Sequence, residues 1–388
     1  MIRKKLLSVC LALALCLWLL PAAALAAGAT AYGTIEVGGI ALTNSESTPT
    51  VYATTDAATG AVTAQPTFTE TDGWNIKWDG STLTLRNATI EQAKEYGNSH
   101  ESMAIYLASG NMNLALVGEN TVDALGGGSA ASCGINLGSG SLSISGADGA
   151  SLTVYGGPTE RGNSCGIYAN GTITIDSGTV TVTGESASAD SYGICASGAV
   201  TINGGTVVAT GGEAADRYSM GVRANGGITI NDGVVTATGG NAVKDSYGIY
   251  ASSFTINGGT VVATSGEVAG RYSMGVRADG DITINGGVVT ATGDTASEYS
   301  YGICTDGYKN FTMNGGIVTA TSGKARLSYG IRCGGALTIT SGTLNATSGK
   351  AGTVSLGIYT RNGIKISGGD VTGIGNTGEQ NSMGIFFQ

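Results

Sequence analysis

Charge is scarce in this chain of 388 residues. Asp, Glu, Lys and Arg together make up 12% of it, where about a quarter is usual for a soluble domain. So little charge excludes a solvated helical bundle. Aromatic residues amount to 6%, and there are four prolines and a single histidine, His100. Glycine is abundant instead, at 66 residues, and argues against long helices because it is costly in a helix interior. No Gly-X-Y period is present, which excludes a collagen-like chain. The net charge is −9. Residues 1–27 contribute three basic residues and no acidic one, so 16 basic residues face 28 acidic ones in the remainder, a net −12. That balance excludes the electrostatic footprint of a nucleic-acid binder.

The first segment reads as a targeting signal. Arg3, Lys4 and Lys5 precede an apolar run from Leu6 to Leu20, short for a membrane span, which Pro21 ends. Ala24-Leu25-Ala26 gives a small-x-small cleavage pattern. Residues 1–26 are therefore expected to be a signal peptide, and the mature protein to be secreted or held at the cell surface. Cys10 and Cys16 leave with the signal, so five of the seven cysteines remain. No later apolar run is long enough to span a membrane.

A Ser-Φ-Gly-[Ile/Val] motif recurs, as in Ser191-Tyr192-Gly193-Ile194 and Ser219-Met220-Gly221-Val222. Its glycines stand at 134, 166, 193, 221, 248, 275, 302, 330, 357 and 384, at intervals of 27 or 28 after a first of 32. Asp190–Lys244 and Asp245–Glu298 align with one gap, which suggests duplication of a two-repeat unit. Each repeat holds three short runs of period-2 alternation, such as 192–196, 200–203 and 206–210, separated by glycine-rich turns. Three strands per repeat without a helical crossover describe one coil of a parallel β-helix. The repeat is too short for a β-propeller blade. The predicted fold is all-β: a single-stranded parallel β-helix of about ten to eleven coils over residues 81–388.

The alternation predicts which side chains face inward. On strand one these are Tyr192, Ile194 and Ala196; on strand two, Val200 and Ile202; on strand three, Val207 and Ala209. Residues 27–80 do not repeat and read as an N-terminal β cap. The chain stops within a first strand, and Phe387, in the inward Ala column, is expected to plug the open end; a truncated reading frame is the alternative.

Trp78-Asp-Gly-Ser-Thr-Leu-Thr-Leu-Arg-Asn-Ala-Thr-Ile90, Leu114-Ala-Leu-Val-Gly-Glu-Asn-Thr-Val122 and the recurring Thr-Ile-Asn-Gly-Gly-Thr-Val-x-Ala-Thr resemble secreted bacterial β-helix proteins of the carbohydrate-binding-domain type, from Gram-positive anaerobes. The resemblance covers residues 74–388. It implies an exported right-handed parallel β-helix, a fold with which some members bind acidic sugars or cellulose with calcium. The coil turns carry mostly Asn, Gly or Ser rather than Asp, so calcium is not expected and no cofactor is assigned.

A polysaccharide hydrolase needs two or three carboxylates held close. Asp176, Asp232, Asp279, Asp281 and Asp306 look scattered, so no catalytic residue is assigned. No Cys/His cluster has metal-ligand spacing. Cys133 and Cys165 share one inward column at disulfide range, but in-register parallel neighbours point side by side, and all five mature thiols are expected to be free. The Asn203, Asn231, Asn257, Asn285 and Asn314 column is read as a turn ladder. Outward Thr-x-Thr pairs such as Thr236-Ala-Thr238 resemble ice-binding arrays, but Val208 and Val262 interrupt them.

One column carries the functional expectation. The residue two after the motif glycine points outward and reads Tyr168, Cys195, Arg223, Tyr250, Arg277, Cys304, Arg332, Tyr359 and Phe386. Tyrosine rings lie against sugar C–H faces and arginine grips carboxylates. Its outward neighbours are read as Gly and Ser, a shallow floor. Tyr168, Arg223, Tyr250, Arg277, Arg332 and Tyr359 are the candidate ligand-binding residues. The alternative is Tyr–Arg stacking that only covers the sheet. The expected protein is a monomeric, non-catalytic binder of extracellular polysaccharide or a surface glycan. A structural or adhesin-like repeat protein, and a degenerate polysaccharide lyase or hydrolase, are the alternatives.

Overall fold

The computed structural model of the chain describes residues 33–96, 100–126 and 130–388; the expected signal segment 1–26 lies outside them. The described chain is strand and turn throughout, wound into about eleven coils that stack in parallel register. Sheet one takes the first strand of each coil, from Glu101–Leu107 to Asn381–Phe387. Sheet two runs from Thr82–Arg86 to Ile364–Ile366, and sheet three from Thr89–Ile90 to Asp370–Ile374. Sheets one and two merge where Tyr218–Ile230 and Asp245–Ile256 continue unbroken from one face to the next.

Like stacks on like, as the alternation predicts. Ile167, Ile194, Val222, Ile249, Val276 and Ile303 pair rung by rung and are all buried. Val180, Val207, Val235, Val261 and Val289 form the matching column of sheet three. A coil buries no apolar face alone; the stack does.

One inward assignment is overturned. Tyr192 does not share the interior with Ile194 and Ala196. It clusters outside with Met220, Tyr247, Met274, Tyr301, Cys195 and Cys304. Cys133 and Cys165 belong to that outer cluster too, not to the interior. The cause is a small residue taking an inward place of its own at the motif position, Gly193 here and Ala104 in the first coil, where Met103 also lies in the outer cluster. A Cβ on Gly193 would lie 2.7 Å from the Thr210 backbone nitrogen of strand three. Gly193 and Ile194 thus both address the interior, strand three closes directly on the glycine, and the preceding residue is turned outward. Two consecutive inward residues amount to a local irregularity of the bulge kind.

The recurring serine has a role the alternation did not disclose. Its hydroxyl is buried and ties the loop after strand three to strand one. Ser191 Oγ accepts from Gly212 N at 2.8 Å, Ser219 Oγ from Gly240 N at 2.7 Å and Ser246 Oγ from Gly266 N at 2.8 Å. Those loops stack as well, through single parallel bridges at Thr159, Ala187, Ala214, Ala242, Val268 and Ala296.

The Asn column forms a continuous chain. Asn203 Nδ2 donates to Asp176 Oδ1, Asn231 to Asn203, Asn257 to Asn231, Asn285 to Asn257 and Asn314 to Asn285, all at 2.7–2.9 Å. The amides bond one another rather than the turn backbone. Every dipole points the same way, and the carboxylate of Asp176 meets the donor end. Asn257→Ala removes two of these bonds at an exposed turn and is expected to lower the unfolding free energy by about 1 kcal/mol. Urea titration checks this, as a shifted midpoint at constant slope.

Residues 34–78 form antiparallel strands over the first coil. Thr34–Val37 pairs with Ile40–Thr43 and, through Glu36 and Val37, with Tyr106 and Ile105 of sheet one. Val51–Thr55 pairs with Ile76–Trp78, which pairs in turn with Thr82–Arg86. Buried Ile35, Val37, Ile76 and Trp78 close that end of the core, and the edge strands are covered. At the other end Phe387 keeps register above Thr360 but is 65% exposed.

Candidate functional site

Sheet one presents the candidate face. Register puts Tyr168, Cys195, Arg223, Tyr250, Arg277, Cys304, Arg332, Tyr359 and Phe386 on successive rungs of one outward column. All six candidate residues lie on it. They are half-buried rather than freely exposed, because the neighbouring outward column is not Gly and Ser. It is Tyr192, Met220, Tyr247, Met274 and Tyr301, the residues that precede the motif glycine, and they make a buried layer beneath the column. Tyr218, Tyr272 and Tyr299 flank it on the far side. The result is a groove along the helix axis, with cavities of 210 Å³ around Arg223 and Tyr250 and 340 Å³ around Arg277 and Arg332.

The walls are held by ring and ion contacts. Tyr272 and Tyr299 stack at 4.9 Å, Tyr247 lies 5.5 Å from Tyr250, and Tyr329 lies 5.9 Å from Tyr359. Arg223 sits 5.5 Å from the Tyr192 ring and Arg277 5.4 Å from that of Tyr250. The two-coil duplication is visible as repeated chemistry. Asp190 accepts from Tyr192 Oη at 2.9 Å, and Arg223 donates to that oxygen at 3.2 Å. Asp245, Tyr247 and Arg277 repeat the relay at 3.2 Å for each bond. Arg217 and Arg271 lie 3.4 and 3.7 Å from the buried Asp190 and Asp245.

Asp279 and Asp306 are not scattered. They follow Ala278 and Thr305, which pair, so they occupy adjacent rungs and share Arg277 Nη2 at 3.2 and 3.0 Å. Tyr250 Oη also donates to Asp279, at 2.6 Å. Two carboxylates bound to one guanidinium, each about half exposed, differ from the desolvated acid that glycoside hydrolysis uses. Among the described residues no group of three His, Cys, Asp or Glu could hold a metal ion, and no helix is long and apolar enough to cross a membrane.

Burial, followed by the Asp279 contacts, pushes the Tyr250 phenol up to about 12 from an ordinary 10.0. Burial raises Tyr192, Tyr247 and Tyr301 as well. Above the ordinary phenol value the unfolded chain releases these protons while the folded chain retains them. Stability is therefore full below that value and falls as pH rises through the raised values. Far-UV circular dichroism is expected to show melting temperatures that hold through neutral pH and drop steeply from about pH 10 upward.

The five thiols are free and buried. Burial pushes Cys195 up to about 11, against the pull of Arg223, and raises Cys165, Cys304 and Cys333. Reactivity follows the thiolate. A thiol reagent is expected to leave the native protein unlabelled over minutes and to label five cysteines in denatured, unreduced protein that lacks residues 1–26. Three labels would reveal a bridge, with Cys133–Cys165 the first pair to examine.

The buried Tyr and Met layer was missed because strict alternation was carried through the glycine. Alternating Tyr and Met at one position was the available signal: Tyr192, Tyr247 and Tyr301 have hydroxyls that a narrow aliphatic interior could not satisfy.

Comparison with known proteins agrees with the geometry. A family model described as a beta helix repeat matches residues 200–215, 228–249, 254–270, 282–303, 311–334 and 337–353. No curated protein and no solved structure matches the chain. The stack of in-register parallel strands is thus a parallel β-helix, and six stretches in consecutive coils are similar to that repeat family.

Proposed function

We propose that this protein works outside the cell as a non-catalytic β-helix that holds a polysaccharide along the sheet-one groove. The observation that carries the reading is the outward ladder: half-buried Tyr and Arg in register over successive coils, above a buried layer of Tyr and Met and lining a row of cavities. Tyrosine faces suit sugar C–H surfaces, and arginine forks suit hydroxyls and carboxylates. Rungs repeat about every 4.8 Å, close to the length of one sugar in an extended chain. Each contact is weak, and repetition supplies the affinity.

The pairing of Asp279 and Asp306 with one arginine favours holding over cleavage. A glycan array with the mature protein tests the reading, together with a reducing-end assay on any polysaccharide retained. Retention of an extended glycan without release of reducing ends supports it. A protein that retains none is a structural repeat, and one that cuts its ligand is an enzyme.

A further inference from the structure

Rung order repeats within the groove wall. Cys195, Arg223 and Tyr250 are three successive rungs, and Cys304, Arg332 and Tyr359 are three more in the same order. A tyrosine of the buried layer lies one coil below each arginine: Tyr192 under Arg223 and Tyr301 under Arg332. The two arginines also share a deficit. Arg217, Arg271 and Arg277 each have a carboxylate partner. Among the described residues, Arg223 and Arg332 have none within ion-pair distance. Arg223 donates to Tyr192 Oη at 3.2 Å, while its Nε is buried without any partner. Arg332 reaches only Cys304 Sγ at 3.7 Å and the Thr305 carbonyl at 3.4 Å. A half-buried guanidinium with no carboxylate in contact is costly to hold, and its fork of donors matches a carboxylate.

The charge between them is already met. Arg277 lies midway and binds both Asp279 and Asp306. Arg223 and Arg332 are four rungs apart, through Tyr250, Arg277 and Cys304, which is about 19 Å at about 4.8 Å per rung. We propose that the groove takes a sparsely charged acidic polysaccharide, with one carboxylate on Arg223, neutral sugars over the rungs between, and the next carboxylate on Arg332. This rests on the groove being the binding surface. A polyuronate with a charge on every sugar would meet Asp279, Asp306 and the acidic body; a chain charged once per four sugars would not.

Gellan has that charge spacing, and carboxyl-reduced gellan has the same backbone without the charge. Titration calorimetry is expected to give gellan at least about tenfold tighter binding than its carboxyl-reduced form or polygalacturonate. Arg223→Gln and Arg332→Gln should each weaken gellan about tenfold, and the double variant should bind it no better than the parent binds the reduced form. Arg223→Lys, which keeps the charge but not the fork, should fall between, and thermal melting of each variant reports that it is folded. Equal affinity for gellan and its reduced form, or an unaffected double variant, overturns the inference while leaving a neutral-glycan groove intact. No binding of gellan overturns it as well, and the array result for neutral glycans then decides the groove reading separately.

Discussion

Gly275→Val is expected to unfold the coils around it. A Cβ there would lie 2.4 Å from the Thr292 nitrogen, 2.8 Å from the Ala291 carbonyl carbon and 2.8 Å from the Gly302 oxygen. All three are backbone atoms held by two ladders, so none can yield cheaply. Relief requires strand three to part from strand one, which opens the interior beside Val276 and Val289. Overpacking of this kind costs more than about 3 kcal/mol. Gly352→Ala is the matched control, since its nearest neighbour, the Arg326 Cα, is at 3.8 Å. Urea unfolding should show a large loss for the first and almost none for the second. A small loss for Gly275→Val would mean that the motif glycine does not set the path of strand one.

The same glycine shapes the groove. Its inward place leaves the preceding residue on the outer side, in the buried Tyr and Met layer over which the Tyr and Arg column stands. Replacing Tyr250, Arg277, Arg332 and Tyr359 together by Ala is expected to reduce glycan retention by about a hundredfold or more, because repeated weak contacts are lost together. The four side chains are half-buried, and Arg277 neutralises two carboxylates. A stability loss of about 1 kcal/mol per site therefore accompanies the change. The interior columns are untouched, so the β spectrum should persist at low temperature. Equal retention by the folded variant would reduce the ladder to a surface coat.

The coil architecture was legible because the period, the glycine turns and the Ile/Val columns all point to one stacked interior. The outward ladder was legible for the same reason: register follows from the period. Two features were not. Alternation assumes one residue per side, and Gly193 followed by Ile194 breaks that rule without any change in composition. Asp279 and Asp306 looked unrelated because the other repeats carry no acid at that position, although each stands four residues after its motif glycine, Gly275 or Gly302, and the register of Ala278 with Thr305 brings them together.

A crystal structure of the protein with the glycan returned by the array tests the central claim most directly. The account predicts an extended chain along the helix axis on sheet one, its sugars against Tyr250 and Tyr359 and within reach of Arg223 and Arg332. Glycan on the threonine face of sheet three, or in the loops around Glu213–Arg217 and Glu267–Arg271 with the groove empty, would contradict it.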